Sequence, residues 1–179
     1  GAGFIGSEFV RVVLGQTTDV DIMNFDALTY AGNLENLRGI DNNRHRFIKG
    51  NIGDKRAVLE ALPNECDGIV NFAAESHVDR SITNPNIFVE TNVLGTLNLL
   101  NESLKVFEKN NDFRFLQVGT DEVYGSLSMD DPAFTEATPL NPNSPYSSSK
   151  AAADMLVQSF HHTYGLNTII TRCSNNYGP

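Results

Sequence analysis

Two rhythms of apolar residues alternate along this chain. Short runs rich in β-branched and aromatic residues at 20–25, 46–49, 68–73, 113–118 and 167–171 predict strands. Stretches with helical spacing at 5–14, 55–62, 86–109 and 145–164 lie between them. The third is the clearest, because Val93, Leu97, Leu100, Leu104 and Phe107 recur at steps of 4, 3, 4 and 3. Strands alternating with helices imply βαβ units, a parallel sheet and helices on both faces. Right-handed crossovers then leave an α/β doubly wound parallel sheet as the leading topology. Residues 125–144 show no rhythm and carry Pro132, Pro139, Asn141, Pro142 and Asn143, which predicts a long loop. No internal repeat or low-complexity tract interrupts the pattern.

Chemistry gathers at the ends of these elements. Gly1-Ala2-Gly3-Phe4-Ile5-Gly6 opens the first helix. Glycines there permit a tight turn and a close backbone approach to a pyrophosphate, which the helix N-terminus attracts. Asp26 follows the next strand, 20 residues after Gly6, where an acid hydrogen-bonds an adenosine ribose. No Arg stands in the ten residues after it to hold a 2′-phosphate, so NAD is expected over NADP. Ser144 and Pro145 suit an N-cap and a first helical position, which puts Tyr146 and Lys150 one turn apart on one face. An ammonium beside a phenol lowers its pKa and a cationic nicotinamide would push the same way, so Tyr146 is a candidate base near neutral pH. Ser147-Ser148-Ser149-Lys150 also satisfies an acyl-transfer S-x-x-K pattern, but the S-D-N and K-T-G companions are absent. Asp121 and Glu122 follow Thr120 just beyond a strand end, where unequal surroundings can separate two carboxylates into acid and base.

Composition narrows the classes. The chain's 179 residues amount to about one domain on the usual scale of roughly 100–200. Lys and Arg total 13 against 22 Asp and Glu, and the formal charge of −9 argues against nucleic acid. Cys66 and Cys173 are too few for a disulfide scaffold and fit no zinc spacing, so reduced thiols in a cytoplasmic protein are expected. No apolar run approaches the ~18 residues of a membrane span. Asn101-Glu102-Ser103 matches a glycosylation acceptor but lies within a helical pattern. His161 and His162 are helix neighbours about 100° apart and cannot share a metal. His45 is expected in a charged loop and His77 in a structural place, so no metal site is expected.

The chain resembles the extended short-chain dehydrogenase/reductases, in particular the sugar-nucleotide dehydratases of the NAD-dependent epimerase/dehydratase group. Its most specific stretches are Thr120-Asp121-Glu122-Val123-Tyr124-Gly125 and Ala73-Ala74-Glu75-Ser76-His77-Val78-Asp79-Arg80-Ser81. Leu28-Thr29-Tyr30-Ala31-Gly32-Asn33 and Cys173-Ser174-Asn175-Asn176-Tyr177-Gly178-Pro179 support them. The resemblance implies a Rossmann-like domain over residues 1–179 that binds NAD through Gly3, Phe4, Ile5 and Gly6. It extends the NAD contacts to Asp26, Leu28 and Thr29 at the ribose, and to Asn51 and Ile52 at the adenine. Further contacts are Ala73, Ala74, Ser76, Thr91, Tyr146, Lys150 and Asn176. Ser76, Thr120 and Asn175 would touch the sugar nucleotide.

Thr120, Asp121, Glu122, Tyr146 and Lys150 form the implied catalytic set. The implied reaction is dehydration of dTDP-glucose to dTDP-4-dehydro-6-deoxyglucose through an internal redox cycle, in a homodimer. Gly119, Asn51 and Leu28 depart from the commonest residues of such proteins and put cofactor affinity in question. An NAD-dependent epimerase is the second enzyme reading, opposed by Asp121-Glu122. A non-catalytic NAD-binding sensor is the third, opposed by the intact catalytic set. The chain has no initiator Met and opens inside its glycine turn. The expectation is therefore a domain cut at both ends, without its first strand and its C-terminal substrate lobe, and with the thymine grip beyond it. Such a piece is expected to be unstable alone, because a missing central strand leaves unpaired edges.

Overall fold

The computed structural model describes residues 1–40, 43–63 and 65–178. The predicted elements are present, with their ends moved by at most two residues. In chain order they are α1 (Phe4–Gln16), β1 (Ile22–Asp26), a 3-10 turn (Leu34–Leu37), β2 (His45–Lys49), α2 (Lys55–Ala61) and β3 (Gly68–Asn71). Next come α3 (Val78–Thr83), α4 (Asn86–Phe88), a π-helical segment (Val89–Gly95) and α5 (Thr96–Phe107). β4 (Arg114–Thr120), a 3-10 turn (Asp121–Tyr124), α6 (Pro145–Tyr164) and β5 (Thr168–Cys173) complete the series. Pro179 falls outside the described residues.

Every strand pairing is parallel. β1 pairs with β2, setting Ile22 opposite His45, while β3, β4 and β5 form a second sheet in that order. Gly68 lies opposite Arg114, and Phe115 opposite Thr168. The expected α/β fold is therefore seen with its sheet in two parts. Among the described residues, β1 and β3 each keep one unpaired edge. The two parts are still packed together, since Phe25 of β1 rests on the main core and Phe9 of α1 meets Phe72 beyond β3 at 5.1 Å.

That core explains why β4 sits in the middle of its sheet. Phe113 and Phe115 are fully buried between Leu100 and Val106 of α5 and Val157 and Phe160 of α6. β4 is paired on both edges, by β3 and β5, and Phe113 and Phe115 lie on one face of it against these two helices. α6 starts on a capping box between Ser144 and Ser147 with Pro145 in the first turn, and ends at Gly165 with φ of 71°.

Two expectations change. The 86–109 helix is not one regular α-helix, because a π-helical segment divides it. That wider turn rotates the helix after it. Thr96, Leu99, Leu100, Glu102, Ser103 and Val106 are buried along α5, and Leu97, Leu104 and Phe107 of the expected stripe are half-buried against the same core. His45 opens β2 and is not in a loop, and its Nε2 is buried without a hydrogen-bond partner. α3, absent from the sequence reading, is too short to show a period.

Truncating Phe115 to Ala should destabilise the fold by about 3–5 kcal/mol, since the site has strands on both sides and cannot collapse. Denaturant melts would measure it, and a loss below about 1 kcal/mol would mean that β4 is not the central packed strand.

Candidate active site

The carboxyl ends of all five strands and the N-terminus of α1 open into one cleft of about 1080 Å³. That is at the top of the range of roughly 300–1,000 Å³ for ligand sites. It also lies where open parallel sheets place ligands, outside the carboxyl ends of their strands.

The glycine turn forms one wall. Gly3 caps α1 without any side-chain acceptor, and Gly3, Phe4, Ile5 and Gly6 all line the cleft. The first amides of α1 are thus left for a ligand. A Cβ on Gly6 would lie 2.8 Å from the Cα of Gly1, so only glycine lets the turn close this tightly. Asp26 fastens the turn to β1. Its Oδ2 accepts from the backbone N–H of Ala2 at 2.7 Å and from the Gly1 amino group at 2.8 Å, and its Oδ1 accepts from Leu28 N–H at 2.8 Å. The acid expected at a ribose thus lines the cleft while already bonded within the chain. Leu28 adopts φ of 52° so that its amide reaches Asp26, and it does not line the cleft.

A buried asparagine organises the opposite wall. Asn92, on the π-helical segment, donates to the Glu75 carbonyl (3.0 Å) and to Ser149 Oγ (2.8 Å), and its Oδ1 accepts from Glu75 N–H (2.9 Å). It joins the end of β3 to α6 one residue before Lys150. Sequence reasoning missed this residue, whose only signal was a polar side chain within an apolar helix. Glu90 also lines the cleft without having been singled out, as do Glu75 and Cys173 of the quoted motifs and His77, which was read as structural. At the rim Tyr30 stacks on His77 at 5.0 Å, and Arg80 covers the Tyr30 ring at 4.1 Å.

The remaining expected residues converge here. Thr29, Asn51, Ile52, Ala73, Ala74, Ser76 and Thr91 line the cleft. So do Thr120, Glu122, Tyr146, Lys150, Asn175 and Asn176. Asp121 does not. Thr120 ends β4 and caps the 3-10 turn, its Oγ1 accepting from Glu122 N–H at 3.3 Å. Burial raises the Glu122 carboxyl, and the neighbouring Asp121 raises it further.

The Tyr146–Lys150 expectation needs correction. Tyr146 and Lys150 are both buried on one face of α6, but the Lys150 ammonium donates to the Val118 carbonyl at 2.7 Å. It is not what sets the phenol. Burial, then Glu122, pushes the Tyr146 phenol up to about 12, with only the Thr120 hydroxyl pulling down. Burial brings Lys150 down to about 8, against Asp154 and Cys173. Without a ligand, this pair is a neutral phenol above a weakened ammonium.

The sequence profile described as GDP-mannose 4,6 dehydratase matches residues 1–179. The chain belongs to that family. It is 53% identical over 187 residues to dTDP-glucose 4,6-dehydratase of Xanthomonas campestris pv. campestris, covering 100% of this chain and 52% of the relative. Low-salt glycan biosynthesis protein Agl12 of Haloferax volcanii is 52% identical over 180 residues, covering 100% and 56%. Among solved structures, the family fold is shared with DesIV, a dTDP-glucose 4,6-dehydratase of Streptomyces venezuelae determined with NAD bound. It has a TM-score of 0.88 and 47% identity over 99% of this chain and 55% of that one. UDP-glucose 4-epimerase of Thermotoga maritima superposes with a TM-score of 0.85 at 29% identity, over 100% and 55%. The chain spans about half the length of the curated relatives it matches.

Ligand-free Lys150 should release its proton near pH 8, while Tyr146 keeps its own to about 12. An ultraviolet difference titration against Tyr146→Phe should show no ionisation of this phenol at pH 10. Ionisation below that would place the ammonium against the phenol. An unfolded Lys holds its proton to 10.5, so between about 8 and 10.5 the unfolded state binds more protons and stability rises with pH. Lys150→Met should remove that slope.

Proposed function

We propose that this chain is the cofactor-binding half of an NAD-dependent dTDP-glucose 4,6-dehydratase, a hydro-lyase, acting in the cytoplasm as a homodimer. The observation that carries the reading is the single cleft in which Thr120, Glu122, Tyr146 and Lys150 meet the uncapped N-terminus of α1. Relatives named for that activity, near 50% identity along the whole chain, support it. The more distant likeness of the epimerase structures supports it over epimerisation. Its domain reading is also a proposal. The unpaired edges of β1 and β3 suit one further central strand, and the half-length match suits a C-terminal lobe that grips the nucleotide.

The cleft fits a dinucleotide. The free amides of α1 suit a pyrophosphate, Asp26 retains lone pairs for a ribose, and the Lys150 ammonium lies at the Tyr146 end. Asn51, Asn176, Ser76 and Thr91 complete its walls. When bound, NAD supplies the acceptor for hydride from the sugar C4, the donor that returns it to C6, and a positive ring that favours the Tyr146 phenolate.

The chain's own residues do the proton work. Tyr146 as phenolate removes the C4 hydroxyl proton, and Thr120 hydrogen-bonds the C4 oxygen. The resulting C4 ketone acidifies the C5 hydrogen, which Glu122 removes. A carboxyl group raised toward neutral pH is the better base for that step. Asp121, in the role of the acid, gives a proton to the departing C6 hydroxyl, which leaves as water. Hydride at C6 and a proton at C5 then complete dTDP-4-dehydro-6-deoxyglucose, so the cycle is redox-neutral. Ser76 and Asn175 would hold the sugar nucleotide.

The test uses the full-length protein with dTDP-glucose. The 4-keto product should appear as a chromophore in alkali, and bound cofactor with no chromophore would favour a sensor. Asp121→Asn should stop water loss while leaving C4 oxidation, so that reduced cofactor accumulates. Product at the wild-type rate would remove Asp121 as the acid, a sharp test because this side chain does not line the cleft.

A further inference from the structure

One buried charge cluster lies behind the cleft and takes no part in the chemistry above. Asp154 is fully buried on α6, one turn after Lys150 and on the same face. Its Oδ2 accepts from Arg172 Nε at 3.0 Å. Arg172, from β5, also donates through Nη1 to the Tyr124 hydroxyl at 2.7 Å and lies over the Tyr124 ring at 5.0 Å. The other carboxylate oxygen, Oδ1, is buried with no hydrogen-bond partner. It faces Gly119, where a Cβ would stand 3.4 Å away, and glycine offers it no donor. Burial pushes the Asp154 carboxyl up, and Arg172 and Lys150 pull it back down.

We propose that Asp154 is a positioning residue for Lys150: the buried counter-charge that keeps the ammonium protonated against the Val118 carbonyl at the cleft floor. Arg172 and Tyr124 hold Asp154 in that place. The inference rests on the reading that Lys150 serves a bound NAD. The physical need is plain, since a buried ammonium without a counter-charge gives up its proton instead of remaining charged. Arg172 is satisfied by Tyr124 and by Oδ2, and the free Oδ1 lies against Gly119, next in the chain to the Val118 carbonyl that takes the Lys150 ammonium. The ionisable groups on the packed elements are few. α6 itself supplies Tyr146 and Asp154, the turn after β4 supplies Asp121 and Glu122, β5 supplies Arg172 and Cys173, and α5 supplies Glu102, already paired with Lys105 at 2.6 Å. The π-helical segment supplies Glu90 across the cleft, and α3 supplies Asp79 and Arg80 at its exposed side. Of these, Asp154 acts most strongly to favour the ammonium.

The test is the pH dependence of NAD+ affinity in the full-length protein, measured by binding and independent of turnover. The wild type should lose affinity as pH rises through about 8, where Lys150 loses its proton. Asp154→Asn should move that loss down by about one pH unit, and Asp154→Glu should restore it. Asp154→Asn with Arg172→Met removes both charges of the pair and carries the test if the single variant fails to fold. Affinity reduced by one factor at every pH, with the loss still near 8, would overturn the proposal and make Asp154 a purely structural acid. A wild type that binds NAD+ but does not dehydrate dTDP-glucose would sink the dehydratase reading alone, because the binding profile decides the role of Asp154 without it.

Discussion

The constraint that organises this chain is the burial of a polar helix. Tyr146, Ser147, Ser149, Lys150 and Asp154 are all buried on α6, among only a few apolar neighbours. Each buried polar group must find a partner or lose several kcal/mol. The surroundings supply those partners in turn. Ser144 and Ser147 cap one another, Ser149 is shared between the Tyr146 carbonyl and Asn92, Lys150 takes the Val118 carbonyl, and Asp154 takes Arg172. The π-helical segment fits the same demand, since it carries Asn92 at the level where Glu75 and Ser149 can both be reached.

Parallel topology does the rest of the positioning. Five parallel strands point their carboxyl ends the same way, so the segments after them arrive at one rim whatever their distance in sequence. Asp26, Asn51, Ser76, Thr120 and Asn175 each lie at the end of a different strand or a few residues beyond it. The chemistry is thus assembled by register, and the long loop at 125–144 lies outside that register. That loop is nonetheless tied down beside the site, because Phe134 stacks on Tyr124 at 5.0 Å and Asn141 N–H bonds the Val123 carbonyl.

The same division separates the legible parts of the sequence from the rest. Strands and long helices were readable because their periods are local properties, and the strand-end residues because topology fixes where such residues go. The π-helical segment was not readable: Val93 to Phe107 keeps an apolar rhythm through it, and only a tertiary hydrogen-bond demand selects the wider turn. Asn92 was invisible for the same reason, since its three partners lie 17 and 57 residues away. Leu28 and Asp121 were placed by motif, and a motif fixes a backbone position without fixing the direction of a side chain.

The Tyr146–Lys150 pair exposes the limit of spacing arguments most sharply. One helical turn does bring the residues to one face, yet adjacency on a face is not contact between charge and phenol. Burial acts on both groups at once and in opposite senses, raising the phenol and weakening the ammonium. The carboxylate of Glu122 adds to the first effect. On the proposed reading, a cation entering beside the phenol would have to offset both effects, so base strength would follow cofactor binding.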